Sequence, residues 1–313
     1  MKISMICTTL NEEKNTGKFV DSIINQTKKP DEFIIIDGGS KDKTFEILKG
    51  YERKIPWIKV YQIKGSNISQ GRNFAIKKSV GDVIFTSDCS TIFEKEWIEK
   101  ILVGFSSGAD VVLGKYFVKP KSLLDMYLIS RLPNWNKIRL DKFLPSNRHV
   151  AYKRVVWEKV GGYPENFKRA DDNWFHSKAH KLGFKYYLAE KASVQWLLER
   201  NLRNMLRLSF LDSKTEGFSG LFLKRRIYFA EIFVLILLIL SVILGIIINI
   251  KIFYLFLVLF FLIFLYEGFF KTLIKIKRID AAFLGIFLGI LLYFAHVSGL
   301  ILGIIQRIYR KKE

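Results

Sequence analysis

Several carboxylates of this 313-residue chain stand where an apolar run stops. Glu12, with Asn11, follows ISMICTTL; Asp37 closes FIIID; Asp88, with Ser90 two residues on, follows VIFTS; and the pair Asp171 and Asp172 opens DDNWFHSKAHK. Carboxylates held in a cleft can bind ligand hydroxyls or a hard cation, or take a proton as a general base. Each also has a plainer reading. Asp at a strand end bonds the backbone of the following turn, Glu12 caps a helix, and acids in a first helical turn are favoured by the helix dipole. Arg72, in SQGRN, reads on its own as a solvated helix-start residue. His176 and His180 have the i, i+4 spacing that puts two imidazoles on one helix face. With no HExxH and no third ligand nearby, packing is the better reading for them than zinc.

The elements around these residues decide between the readings. Residues 2–9, 33–37, 57–63 and 82–87 read as strands, and 17–26, 45–52 and 69–79 as helices. FIII, unbroken and β-branched, is what a strand buried on both faces looks like. Strands alternating with helices at this spacing predict βαβ units and a parallel sheet, whose ligands sit beyond the carboxyl ends of the strands. Thr8, Thr9, Asn11, Glu12, Asp37, Asp88 and Ser90 then share one sheet edge. Three carboxylates gathered there repel each other unless a cation or a ligand's donors relieve them.

Beyond residue 226 the composition changes. Residues 227–250, 252–270 and 281–305 are apolar runs, each near the roughly 20 residues that cross a bilayer core. Glu231, Lys251, Glu267 and His296 are the ionisable residues between 227 and 270 and inside the third run. Residues 224–313 hold 12 Lys and Arg against 4 Asp and Glu, so +13 of the formal net charge of +21 belongs to residues 1–223. The tail's charges sit at span ends, in KRR, KTLIKIKR and RIYRKKE. Lysine and arginine there suit the cytoplasmic side and anionic headgroups, which explains much of the basicity without nucleic acid; no nucleic-acid module is recognisable. The basic tail conflicts with that tendency if all three runs span, and the second run, the shortest, is alternatively re-entrant. Two amphipathic stretches precede the runs. Leu123, Leu124, Tyr127, Leu128 and Leu132 form a stripe expected against the sheet, with the bilayer interface as the alternative. Leu198, Leu202 and Leu206 with Arg200, Arg203 and Arg207 form another, expected on the membrane surface. Cys7 and Cys89 lie in apolar contexts without a metal or redox spacing, as buried reduced thiols of a cytosolic domain would. No secretory leader is recognisable at the N-terminus. The expected organisation is an α/β domain over 1–196, an interface segment over 197–226 and a membrane region over 227–313.

SMICTTLNEE, EFIIIDGGSKDKT, SQGRNFAIKKSVGDVIFTSDCST and SNRHVAYKRVVWEKVGGYPENFKRADDNWFHSKAHKLG, in this order, resemble the successive motifs of family 2 glycosyltransferases of the GT-A fold. The resemblance covers residues 2–196, and the tail resembles the membrane-bound branch of the family. It implies an α/β fold, a Rossmann-like mixed sheet flanked by helices, and inverting transfer from a nucleotide sugar. Thr8, Asn11 and Glu12 would line the nucleotide site, Asp37 would accept from the base, and Arg72 would lie near ribose or phosphate. Asp172 would be the base and Asp171 an orienting or donor-binding residue. Asp88 takes the first position of the family's Asp-X-Asp motif and would bind donor and metal, while Ser90 stands where the family commonly has a metal-ligating aspartate. A hydroxyl is the weaker ligand, so the implied Mg²⁺ or Mn²⁺ site is expected to lose affinity; magnesium tolerates this, because it often uses one or two carboxylates with phosphate oxygens and water.

Three spans and an amphipathic approach point to a membrane acceptor, a lipid-linked glycan or a polyisoprenyl phosphate. Processive synthases of the family typically carry Gln-x-x-Arg-Trp; here Gln195 and Trp196 are adjacent, which favours single transfer. The alternative raised by Ser90 is a non-catalytic membrane subunit that binds a sugar nucleotide.

Overall fold

The computed structural model describes residues 1–167, 169–198, 201–224 and 226–310. Arg200, Arg225 of KRR and the end of RIYRKKE lie outside them. The chain forms two compact units, residues 1–119 with 133–198, and residues 120–132 with 199–313.

The first unit opens with β1 (Ile3–Thr9), α1 (Glu13–Ile24), β2 (Glu32–Asp37), α2 (Thr44–Lys54), β3 (Ile58–Gln62), α3 (Ile68–Lys78) and β4 (Val83–Asp88). The alternation read from the sequence is present, with strand ends moved by a residue or so. α1 starts earlier than expected, because the Glu12 carbonyl accepts from both the backbone N–H and the hydroxyl of Thr16 and so caps an extra turn. Next come β5 (Thr91–Phe93), α4 (Trp97–Ser106) and β6 (Val111–Phe117). After α5 (Leu123–Ser130), which belongs to the second unit, β7 (Val150–Lys153), α6 (Arg154–Val160), α7 (Asp171–Lys181) and β8 (Tyr186–Trp196) complete the first.

The sheet order is β3-β2-β1-β4-β7-β6-β8-β5. β1 to β4 are parallel; β7 joins β4 antiparallel, which makes the sheet mixed. Alternate residues of β2 go to opposite cores: Phe33 and Ile35 pack with Phe19, Leu48, Phe85 and Trp97, whereas Ile34 and Ile36 pack with Ile6, Ile84, Tyr152 and Phe175. That two-sided burial is why FIII carries no polar residue. Register then aligns the polar ends, with Thr8 opposite Asp88 and Thr9 opposite Asp37.

In the second unit α8 (Leu202–Ser219), α9 (Arg226–Ile247), α10 (Ile250–Phe264), α11 (Lys271–Ile276) and α12 (Ile279–Arg310) follow, with a π-helical turn over Leu265–Phe270 joining α10 to α11. Three helices, Tyr228–Ile247, Ile250–Ile276 and Ile279–Tyr309, are long and apolar enough to cross a membrane. α8 lies against α12 at backbone contact. A Cβ on Gly299 would stand 2.2 Å from the Phe210 carbonyl oxygen, and one on Gly303 2.1 Å from that of Lys214. Between the spans, His296 Nδ1 lies 2.7 Å from Glu231 Oε2, so two of the four ionisable residues singled out above are hydrogen-bonded to each other. The stripe on α5 packs differently from the expectation. Tyr127 is buried with Met205 of α8 and Leu288 of α12, flanked by Leu124 and Leu128, so its apolar face is filled by helices of the second unit and not by the sheet. A stripe requires an apolar partner without specifying which.

Candidate active site

Two local devices position Arg72 at the sheet edge. Asn67 and Gln70 form a reciprocal capping box at the start of α3, each accepting a 2.9 Å bond from the other's backbone N–H. Gly71 then lets the helix close on β1, since a Cβ there would meet Thr8 Cγ2 at 2.7 Å. Arg72 is left buried at 5% exposure, and its guanidinium bridges two carboxylates that are distant in sequence. Nη2 donates to Asp88 Oδ1 at 3.0 Å, and Nη1 donates to Asp171 Oδ2. The two anions hold the guanidinium fully protonated, well above its ordinary range, despite burial. The neighbouring Asn73 works on the other side: its Oδ1 accepts from Tyr163 N at 2.8 Å and Trp157 Nε1 at 3.1 Å, and its Nδ2 donates to the Tyr163 carbonyl at 2.9 Å. These bonds pin the Gly161-Gly162-Tyr163 turn, whose glycines both have positive φ. The Tyr163 ring lies 5.5 Å under the Arg72 guanidinium.

Asp171 and Asp172 begin α7 after Ala170, whose φ of 56° is a left-handed conformation uncommon for a residue with a Cβ and frequent where a functional site fixes the chain. Asp171 is buried against Arg72. Asp172 is partly exposed at the next position, where burial first and the adjacent Asp171 charge second push its carboxyl up to about 7. The Arg72 and Arg148 cations oppose that rise without cancelling it. A carboxylate tuned in this way is a stronger base near neutral pH than an ordinary aspartate.

The remaining sequence-predicted residues sit along the same edge in different states. Asn11, with φ of 55°, accepts from Lys41 N at 2.8 Å through its side chain and so fastens the β1–α1 turn to the β2–α2 turn. The Glu12 N–H donates to Thr44 Oγ1 at 2.8 Å, and its carboxylate accepts from Asn15. Thr8 is half-buried beside Gly71. Asp37 is wholly buried: Oδ1 accepts from Gly39 N and Ser40 N at 2.9 Å and Gln62 Nε2 at 3.0 Å, and Oδ2 accepts from Ser40 Oγ. In this structure it organises its own turn. His176 and His180 do not form a site. His176 Nδ1 meets the Tyr186 hydroxyl, and His180 bonds the Phe143 carbonyl while stacking on Tyr186.

Sequence reasoning missed Arg148, just before β7. Its guanidinium is 4.0 Å over the Trp196 ring and 5.4 Å over Tyr116, with Nε 3.8 Å from Asp88 Oδ2. The signal lies in SNRHVAYK, but nothing local marks which of its basic residues turns inward.

Among the described residues no group of three His, Cys, Asp or Glu could hold a metal ion. Asp88 is the one carboxylate at the Asp-X-Asp position, Ser90 adds a neutral hydroxyl, and both Asp88 oxygens already face guanidinium groups. This donor set fits an ion completed by the oxygens of an incoming diphosphate and by water, not one caged by the chain alone.

A mixed sheet with this edge, flanked by helices, is the GT-A arrangement, and three apolar helices follow it in the chain. The chain belongs to glycosyltransferase family 2: the Glycosyl transferase family 2 profile matches residues 4–186. It is similar to the O-antigen chain rhamnosyltransferase RfbN of Salmonella typhimurium, 25% identical over 62% of this chain and 66% of that protein. It is similar also to the dolichol-phosphate mannosyltransferase of Pyrococcus furiosus, 28% identical over 54% of this chain and 51% of the other. A cholesterol galactosyltransferase of Borreliella burgdorferi is 28% identical over 51% and 47%. The chain thus spans about half to two thirds of the length of these relatives. Among solved structures, the mannosyltransferase PcManGT from Pyrobaculum calidifontis, in complex with GDP-Man and Mn²⁺, matches 99% of this chain and 88% of its own with a TM-score of 0.60 at 16% identity. S. aureus TarS 1-349 in complex with UDP gives 0.55 at 18%, over 100% and 92%. At those identities the likeness is one of fold.

Proposed function

We propose that this chain is an inverting glycosyltransferase that moves a sugar from a nucleotide-sugar donor to a membrane-associated acceptor, a lipid-linked glycan or a polyisoprenyl phosphate. The observation that carries the reading is the Arg72 bridge, which ties the donor-side Asp88 to Asp171, the neighbour of Asp172. In the reaction a hydroxyl oxygen of a lipid-linked glycan, or a phosphate oxygen of a polyisoprenyl phosphate, attacks the anomeric carbon from the face opposite the diphosphate. The new C–O bond forms as the bond to the diphosphate oxygen breaks and the nucleoside diphosphate departs; a hydroxyl acceptor gives its proton to Asp172, whereas an ionised phosphate oxygen has none to give. Asp171, held by Arg72, fixes the start of α7 and with it the direction of Asp172. Thr8, Asn11 and Glu12 line the nucleoside end, Asp37 shapes the turn beside them, and Asp88 with Ser90 faces the donor diphosphate. Mg²⁺ or Mn²⁺ held there by Asp88, Ser90 and the diphosphate would supply positive charge against the leaving group.

The acceptor class is supported by the three apolar helices and by relatives named for dolichol-phosphate, cholesterol and O-antigen chains. The apolar helices support a multi-pass membrane protein, and the basic residues at the span ends, with the buried free Cys7 and Cys89, support a cytoplasmic first unit. The test is to incubate membranes containing the protein with a panel of nucleotide sugars, with and without Mg²⁺ or Mn²⁺, and to extract lipid products. Transfer to lipid is expected. A water-soluble product overturns the acceptor class. The second reading, motivated by Ser90, is a non-catalytic sugar-nucleotide-binding subunit of a glycan assembly system; nucleotide binding without transfer under every donor and metal would favour it.

A further inference from the structure

Arg148 is a partly buried cation that no local structure accounts for. Its side chain is 17% exposed, and its planar head lies against Trp196 at 4.0 Å and over Tyr116 at 5.4 Å. Aromatic faces fix the plane of a guanidinium through cation–π contact but leave its N–H edge unengaged. Nε is buried with no hydrogen-bond partner, and the nearest anion, Asp88 Oδ2, is 3.8 Å away, beyond hydrogen-bond reach. Leaving a charged donor buried and unbonded is costly, and Asp88 is already served by Arg72 on its other oxygen. A purely structural ion pair would have closed that gap. The guanidinium is instead held against the two rings on the edge that carries Asp88, and it is close enough to Asp172 to lower that carboxyl's pKa.

We propose that Arg148 binds phosphate oxygens of the donor, taking the leaving diphosphate in its fork and supplying, beside Asp88, part of the positive charge that an aspartate-held cation would otherwise provide at the position of Ser90. The chemistry favours this occupant. A planar guanidinium offers two parallel N–H donors that match phosphate geometry, and charge-assisted bonds to phosphate are among the stronger hydrogen bonds. Negative charge accumulates on the diphosphate as the glycosidic bond breaks, so a fixed cation there stabilises the transition state more than the ground state. The inference rests on the nucleotide-sugar reading above.

The test uses the full-length protein in detergent, with binding of UDP, GDP and dTDP and of the matching nucleosides measured by calorimetry, each in EDTA and in Mn²⁺. For the diphosphate that binds, Arg148→Met is expected to weaken affinity roughly 10- to 100-fold in both conditions, with the nucleoside changed less than about 2-fold. Arg148→Lys keeps the charge and loses the fork, so it is expected to fall between; it carries the test if Arg148→Met does not fold. Unchanged diphosphate affinity in these variants overturns the proposal, as does an equal loss for nucleoside and diphosphate, which would mark a structural role. Failure of the unmodified protein to bind any nucleoside diphosphate would instead overturn the donor reading, and this assignment with it.

Discussion

Asp37 and Asp88 end the two strands that flank β1, at the same edge and in register with consecutive threonines, yet they are compensated in opposite ways. Asp37 is sealed by donors of its own turn and by Gln62. Asp88 keeps 27% of its side chain exposed and is met by guanidinium groups from α3 and from the segment before β7. A charge satisfied by neighbouring backbone belongs to the fold. One satisfied by long side chains from elsewhere can exchange those partners for a ligand. The contrast extends to Asp171 and Asp172, adjacent residues of which one is consumed by Arg72 and the other is left to titrate.

The most severe test of this contrast is Asp172→Asn. Sugar transfer is expected to fall by about 10²- to 10⁴-fold, the usual contribution of a positioned base, while calorimetric binding of the nucleoside diphosphate persists. Next is Arg72→Met, which strands buried Asp171; a loss of roughly 3–5 kcal/mol in unfolding free energy is expected, read as a lowered thermal midpoint in detergent. Asp37→Ala leaves several turn donors unsatisfied and should cost less, roughly 1–3 kcal/mol. If it instead abolished donor binding at unchanged thermal midpoint, the distinction between Asp37 and Asp88 would collapse. The smallest effect is on pH dependence. Because the Asp172 carboxyl is raised to about 7, kcat/KM is expected to climb as pH rises through that region and the base form appears. Removing the Arg148 charge should move the inflection upward, since that cation lowers the pKa. Stability has the opposite sign: a carboxyl raised above its unfolded value penalises the fold at alkaline pH, and the penalty disappears as pH falls from about 7 towards the ordinary carboxylate range.

Much of the sheet edge was legible because its signals are local. An apolar run that stops at a polar residue marks a strand end, and four such runs bring Thr8, Asp37 and Asp88 together in the observed register. The acid pair was legible through the family motif it resembles, since its place before a helix reads by itself as compensation of the helix dipole. Arg148 was not, because its partners Tyr116, Trp196 and Asp88 come from three other segments and no periodicity connects them. Nor did the stripe on α5 reveal that its partners would be Met205 and Leu288. Asp37 shows a further limit. Residue type and position were read correctly, but only the bonds from Gly39, Ser40 and Gln62 show how fully its oxygens are engaged.

The Arg72 bridge also imposes an order in time. Asp88 follows Arg72 by 16 residues, but Asp171 lies 99 residues downstream. At ribosomal rates of about 5–20 residues per second, that is a wait of roughly 5–20 s. During it the parallel strands can pair while the guanidinium has one of its two anions in place. The nascent domain therefore carries an incomplete core until α7 emerges, and the first apolar helix, starting at Tyr228, follows soon after. Closure of the catalytic edge and delivery to the membrane would then fall in the same brief interval of synthesis.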